Sequence, residues 1–184
     1  PLQPLHYHET PLVPVLSVCN KRSQSFFAEQ VLKTLGAERR GRGTWANGLA
    51  EVSDFLSSLG LDPARYRIAD GSGRSRENRS SAGAYLEFLQ ALATRWPHFE
   101  TYYPTLAISG DREGSLRNRM LGAYTRGRVY AKTGNIAGVV TLAGYVEAGS
   151  GRRYAFVILA NGGCGEKSGH AWQDRILIEL ARHG

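Results

Sequence analysis

Lys132, Thr133 and Gly134 close an apolar-leaning segment, Gly127-Arg128-Val129-Tyr130-Ala131, and two further strand-like segments follow them. A lysine at a strand end offers a cation that can hold a carboxylate or steer a proton, and the threonine adds a hydroxyl. Glycine at the third position removes a side chain and lets another backbone approach the strand. Asn135 comes next, with a backbone N–H suited to stabilising the oxyanion of an acyl-transfer intermediate. Far upstream, Ser23 and Ser25 sit in the polar stretch Asn20-Lys21-Arg22-Ser23-Gln24-Ser25. Their hydroxyls can face one cleft, Ser23 passing a proton and Ser25 donating a hydrogen bond to a substrate amide. Each feature alone also has a plainer reading. Lys132 fits an exposed lysine before a turn, and either serine fits a cap for the helix that begins near Phe26.

Other candidates carry less. His6-x-His8 has no acidic or cysteine partner placed to complete a metal site, and Cys19 and Cys164 have neither CxxC spacing nor a disulfide framework. No metal is therefore expected. Asp70-Gly71-Ser72-Gly73 lacks the ligand count of a calcium loop and reads as a tight turn with Asp70 as its hydrogen-bonding residue. Arg112 and Glu113 read as a solvated turn. The net charge is +7 and the basic residues are mostly arginine, lysine occurring only at 21, 33, 132 and 167. The arginines are scattered without interleaved aromatics, which favours a solvated surface over a nucleic-acid stripe.

The elements that must position these residues follow from periodicity. With 184 residues, 42% hydrophobic and 21% charged, the chain suits one domain with a real core. It has no run of 18 apolar residues and no signal-peptide pattern. It begins Pro1-Leu2-Gln3-Pro4 and has Met120 as its only methionine, so it reads as a portion of a longer protein. Residues 11–20 predict a short helix and 20–25 a break. A second helix is expected from there to about Leu35, stopped by Gly36. Gly41 to Gly43 form a loop. Thr44 caps a third helix whose Trp45, Leu49, Val52, Phe55, Leu56 and Leu59 keep helical spacing until Gly60 ends it. A short strand is expected at 66–69. Ser80 or Ser81 caps a helix carrying Tyr85, Phe88, Leu89 and Leu92. Residues 97–104 read as irregular or as a broken helix, and 114–121 as a short helix. The last third changes character. Strands are expected at 129–133, 139–146 and 154–160, with Gly149-Ser150-Gly151 as a hairpin turn. The near-continuous apolar run at 154–160 suits a strand covered on both faces. A closing helix at 171–182 would present Trp172, Ile176, Leu177 and Leu180 as its apolar face. Helices, then an antiparallel meander, then one helix make an α+β fold, an antiparallel sheet flanked by helices.

Together these segments resemble the class C low-molecular-mass penicillin-binding proteins, the D-Ala-D-Ala carboxypeptidase/endopeptidase family. The motif order Ser-x-x-Lys, Ser-Asp-Asn, Lys-Thr-Gly marks penicillin-binding proteins and serine β-lactamases. Asn20-Lys21-Arg22-Ser23-Gln24 resembles the family's Ser-x-Asn region. Asp70-Gly71-Ser72-Gly73-Arg74-Ser75-Arg76 looks like its Asp-Gly-Ser-Gly-Leu-Ser-Arg segment, with Arg74 in place of leucine. Gly114-Ser115-Leu116-Arg117 is similar to the stretch before the third motif. Ala131 to Val139, followed by Leu142-Ala143-Gly144-Tyr145, looks like the third motif and the next strand.

The resemblance implies a β-lactamase/transpeptidase-like domain of which residues 1–184 are the C-terminal portion. It implies a serine acyl-transferase of the cell envelope, periplasmic or otherwise extracytoplasmic, acting on peptidoglycan stem peptides and trapped covalently by β-lactams. Ser23 and Lys132 would be catalytic, with Ser25, Thr133, Gly134 and Asn135 binding substrate. No cofactor and no nucleic-acid partner is implied. Two positions depart from the pattern. The residues three before Lys21, Lys33, Lys132 and Lys167 are Val18, Gln30, Val129 and Cys164, so Ser-x-x-Lys is absent and the nucleophile is expected in a missing N-terminal half. Ser25 stands where the family has asparagine, which leaves open a catalytically inactive homologue that binds peptidoglycan peptides. A basic nucleic-acid-binding domain is the more distant alternative.

Overall fold

The computed structural model describes residues 8–163 and 165–184. Cys164 and the His6 half of the histidine pair lie outside them. His8 is exposed, its ring against the Thr10 hydroxyl at 3.2 Å.

Six helices and four strands follow in chain order among the described residues: α1 Leu12–Arg22, α2 Ser25–Arg40, α3 Trp45–Ser58, α4 Ala82–Arg95, α5 Phe99–Tyr102, β1 Ala107–Ile108, β2 Val129–Ile136, β3 Val139–Glu147, β4 Arg153–Asn161 and α6 Glu166–His183. The strands form one antiparallel sheet in the order β1-β2-β3-β4. The meander and its closing helix agree with the sequence, and β1 is an addition that two residues were too few to announce. The strand expected at 66–69 is reduced to a single bridge, Arg67 to Arg79, and residues 114–121 form turns rather than a helix.

Period-two alternation gives each face of the sheet its own core. Val129, Ala131, Leu142, Val146, Phe156 and Ile158 face α6, meeting Leu177 and Ala181. Tyr130, Ala143, Tyr145, Ala155 and Val157 face the opposite way, toward Leu89 and Leu92 of α4 and Phe99 of α5. β4 is thus covered on both faces, as its apolar run implied. On that second face Tyr145 donates a hydrogen bond to the Leu89 carbonyl at 2.7 Å, so the buried phenol is satisfied.

Two helices differ from expectation. α2 does not stop at Gly36 but runs on to Arg40, with Gly41 at φ 75° closing it. Gly36 is instead a contact point, since a Cβ there would meet the Gly48 nitrogen of α3 at 2.8 Å. Gly48 is tighter still, with a Cβ falling 2.3 Å from the Leu32 carbonyl oxygen. The two glycines let α2 and α3 approach backbone to backbone. α6 starts earlier than residue 171 and buries Gly169, Gln173, Leu177 and Ala181, leaving Trp172 53% and Ile176 37% exposed. The small residues win the sheet-facing side because the helix lies close to it: a Cβ at Gly169 would sit 3.1 Å from Val140.

Candidate active site

The break between α1 and α2 is short and strained. Ser23 caps α1 at φ 53°, ψ 47°, and only Ser23 and Met120 among the described non-glycine residues have positive φ. A side chain in the left-handed region costs free energy that surrounding contacts must offset. Here the Ser23 N–H donates to the Cys19 carbonyl, and the Gln24 N–H reaches the same oxygen at 3.1 Å. Gln24, not Ser23 or Ser25, occupies the N-cap position of α2, and it makes no side-chain cap. Neither serine therefore caps α2. Ser25 begins α2, half-buried.

Lys132 closes the gap of more than a hundred residues. Its Nζ donates to Ser23 Oγ at 2.6 Å and to the Thr133 carbonyl at 2.6 Å. Burial disfavours the ammonium and pushes its pKa below the usual lysine range, with nearby Cys19 partly opposing. The Cys19 thiol, on the last turns of α1, is itself pushed up by burial and pulled back by Lys132.

Strand alternation sends Thr133 to the other face, where its hydroxyl donates to Ser115 Oγ at 2.9 Å. Ser115 belongs to the loop after β1, whose backbone clasps the end of α1: the Ser115 N–H donates to the Lys21 carbonyl at 2.9 Å. Gly134 differs from the expectation of a backbone neighbour. The space its missing side chain leaves is taken by Thr141 Oγ1 of β3, 2.3 Å from where a Cβ would be.

The edge of β2 completes the geometry. The Ser109 N–H donates to the Val129 carbonyl at 3.0 Å, so odd-numbered residues of β2 turn their N–H and C=O groups toward β1. β1 ends its pairing at Ala131. Past that point the peptide groups of Thr133 and Asn135 face an edge that no strand pairs among the described residues, with Lys132 and Ser23 above it and Thr133 and Ser115 below. Asn135 itself is exposed. This is a template for an extended peptide laid along the strand, flanked by a cation and hydroxyls.

A second, supporting cluster lies behind α2. Asp70 accepts hydrogen bonds from the Gly73 N–H at 2.8 Å, the Ser75 N–H at 2.7 Å and Asn78 Nδ2 at 2.8 Å. Burial works to raise its pKa, but these bonds hold it below the usual carboxylate range. Glu29 of α2 ties the turn down, accepting from the Ser72 N–H at 3.0 Å and from Trp45 Nε1 at 2.8 Å. Arg76, at the end of this turn, donates to the Ala137 carbonyl at 3.1 Å in the β2–β3 turn. The turn reading of Asp70 holds, and Ser72 is a frame residue bonded to the Asp70 carboxylate at 3.3 Å. Ser115 and Glu29 were not singled out from the sequence. Their partners are remote in the chain, and only the Gly-Ser-Leu pattern at 114–116 marked the neighbourhood of the first.

Residues 3–182 match the D-Ala-D-Ala carboxypeptidase 3 (S13) family. The chain belongs to this family. It is 39% identical over 177 residues to a D-alanyl-D-alanine carboxypeptidase of Actinomadura sp. (strain R39), covering 94% of this chain and 31% of the relative. It is 32% identical over 157 residues to carboxypeptidase DacB of Mycolicibacterium smegmatis, covering 82% of this chain and 34% of that protein. The chain thus spans about a third of the length of these relatives. The crystal structure of penicillin binding protein 4 (dacB) from Haemophilus influenzae superposes with a TM-score of 0.84 at 24% identity, covering 94% of this chain and 40% of that one. A predatory peptidoglycan endopeptidase from Bdellovibrio bacteriovorus matches with a TM-score of 0.64 at 19% identity, covering 92% of this chain and 42% of that one. The low-molecular-mass penicillin-binding protein family and its β-lactamase/transpeptidase-like fold are therefore those of this chain, as the motifs implied.

Proposed function

We propose that these 184 residues are the C-terminal, substrate-holding portion of a serine-type D-Ala-D-Ala carboxypeptidase/endopeptidase that acts on peptidoglycan stem peptides outside the cytoplasm. The observation that carries this reading is the 2.6 Å contact between Lys132 Nζ and Ser23 Oγ beside the open edge of β2.

In this mechanism a serine upstream of the chain attacks the carbonyl of the penultimate D-alanine. The Ser–O–C bond forms and the carbonyl becomes an oxyanion, which the Asn135 N–H stabilises. As the C–N bond breaks, Ser23, its hydroxyl oriented by the Lys132 cation, relays to the departing amine the proton that the attacking serine has given up. The Lys132 charge and the Thr133 hydroxyl hold the terminal carboxylate, and Ser25 donates to the substrate amide. Water then attacks the ester, releasing the shortened peptide and the free serine. A β-lactam opens on the same serine, and its amine stays tethered to the acyl group. The relatives' names support carboxypeptidase action, and the open edge supports a peptide ligand.

The test is peptide turnover by the protein carrying its upstream sequence. Release of D-alanine from a D-Ala-D-Ala peptide, lost in Lys132→Ala, is expected. Turnover indifferent to Lys132 would remove the reading. One observation favours a second possibility, an inactive homologue that only binds peptides. Serine at position 25 is shorter than asparagine and cannot both donate and accept through an amide. Binding without turnover would select it.

A further inference from the structure

Beside Ser115 lies an open groove of about 520 Å³ lined by Lys21, Arg22, Arg112, Glu113, Arg117 and Asn118, together with the Gly114-Ser115 backbone. Its position follows from local structure. The last turn of α1 delivers Lys21 and Arg22, and the loop after β1 is pinned to that turn by the Ser115 N–H. Gly114 makes the clasp possible at φ 101°, with a Cβ there falling 3.1 Å from the Lys21 carbonyl oxygen.

The charges do not balance. Lys21 pairs with Asp111 at 3.4 Å and Arg22 with Glu113 at 3.1 Å. Arg112 and Arg117, both exposed, make no ion pair among the described residues. The Arg22–Glu113 pair is 54% and 61% exposed, so it is weak and free to exchange partners. Two guanidinium groups are left to meet an anion bidentately.

The place of the groove along a bound peptide is fixed by the roles given above, on which this inference rests. Asn135, nearer the β2–β3 turn, meets the scissile carbonyl, and Thr133, two residues back, meets the terminal carboxylate. Thr133 bonds to Ser115, and Ser115 lines the groove. The groove therefore begins where the departing residue ends. We infer that it is a subsite for the leaving group, selecting a departing D-residue that carries a second carboxylate over one that carries none.

The probes are trifluoroacetyl-D-Ala-D-Glu, its neutral isostere trifluoroacetyl-D-Ala-D-Gln, and trifluoroacetyl-D-Ala-D-Ala. Each is followed by fluorine NMR with the whole protein, upstream portion included, which reads affinity and cleavage in one experiment. The D-Glu peptide should be preferred over the D-Gln peptide by about threefold to tenfold at low salt, in affinity or in kcat/KM. The preference should shrink as ionic strength rises. In the double variant Arg112→Gln/Arg117→Gln the two peptides should become equal while the D-Ala peptide is handled as before. Both residues are exposed, so the fold should be unaffected. Equal treatment of D-Glu and D-Gln by the unaltered protein, or a preference that survives the double variant, overturns the subsite and leaves the proposed function standing. Failure of all three peptides to bind or react overturns the reading of the site and the subsite with it.

Discussion

Lys132 carries a cation that burial disfavours, and this sets opposite pH dependences for binding and stability. Its folded pKa lies below the ordinary lysine value. The charged form, which in the proposed mechanism holds the substrate carboxylate, is therefore lost as pH rises through that lowered value, earlier than an ordinary lysine would lose it. Between the folded and unfolded pKa values the unfolded chain binds more protons, so the lysine's contribution to stability rises with pH across the same window. Titrating the Lys132 Cε resonance by NMR alongside D-Ala-D-Ala affinity should show both curves breaking together below the usual lysine range. A Lys132 titrating like a free lysine would contradict this. In the protein with its upstream sequence, Ser25→Asn restores the amide of the family pattern and should leave acylation by a labelled penicillin equal or faster, measured by gel fluorescence. At this scale the contact between Ser23 and Lys132 was legible because each sits in a short motif of its own, Lys132 beside Thr133 and Ser23 beside Ser25. Ser115 and Glu29 were not, because each makes its contact with a partner that only the fold brings near.

Helix and strand existence was readable where periodicity is long, as in β2 to β4 and α3. Which face of an element is buried was harder. On α6 the large apolar residues Trp172 and Ile176 suggested the core side, yet Gly169 and Ala181 occupy it, because close approach to the sheet selects small residues. The same principle governs α2 and α3. Gly36 looked like a helix stop, and it is a contact glycine facing Gly48. Gly48→Ala should gain about 1 kcal/mol of helix propensity but force its Cβ against the Leu32 backbone. A net loss of about 1–3 kcal/mol is expected, read from the urea midpoint. Because α2 carries Ser25 and Glu29, penicillin acylation of the protein with its upstream sequence should slow as well. A stabilised Gly48→Ala would refute the contact. Glu29→Gln, which weakens the bonds from Ser72 and Trp45, should cost about 1–2 kcal/mol. It should also shift the acid limb of the stability profile. Glu29 has a carboxyl held below its ordinary range, against the pull of burial, by its hydrogen bonds to Ser72, Trp45 and Gly71. Its contribution is present above the unfolded pKa and disappears as pH falls through the folded one.

Across the whole molecule, large apolar side chains stand in solvent on several elements, among them Leu12 at 60%, Phe26 at 69%, Trp45 at 52% and Trp172 at 53% exposure. Such surfaces are in keeping with the proposal that an upstream portion of the protein covers some of them. The isolated 184 residues should bind the dye ANS and unfold at lower urea than the protein with its upstream sequence, and equal stability of the two would weigh against that completion. The sequence motivates the proposed completion through an absent motif rather than through any element, since the lack of a Ser-x-x-Lys can be counted from the sequence while a packing partner cannot. The central claim is that Lys132 and Ser23 form the holding half of a site whose nucleophile lies upstream. Labelled penicillin, with the modified residue located by mass spectrometry, tests it most directly. In the protein with its upstream portion, the label should sit on one serine outside these 184 residues, and Lys132→Ala should slow labelling about a hundredfold or more. The isolated chain should stay unlabelled. A label on any serine within residues 1–184, or a rate untouched by Lys132→Ala, would contradict the account.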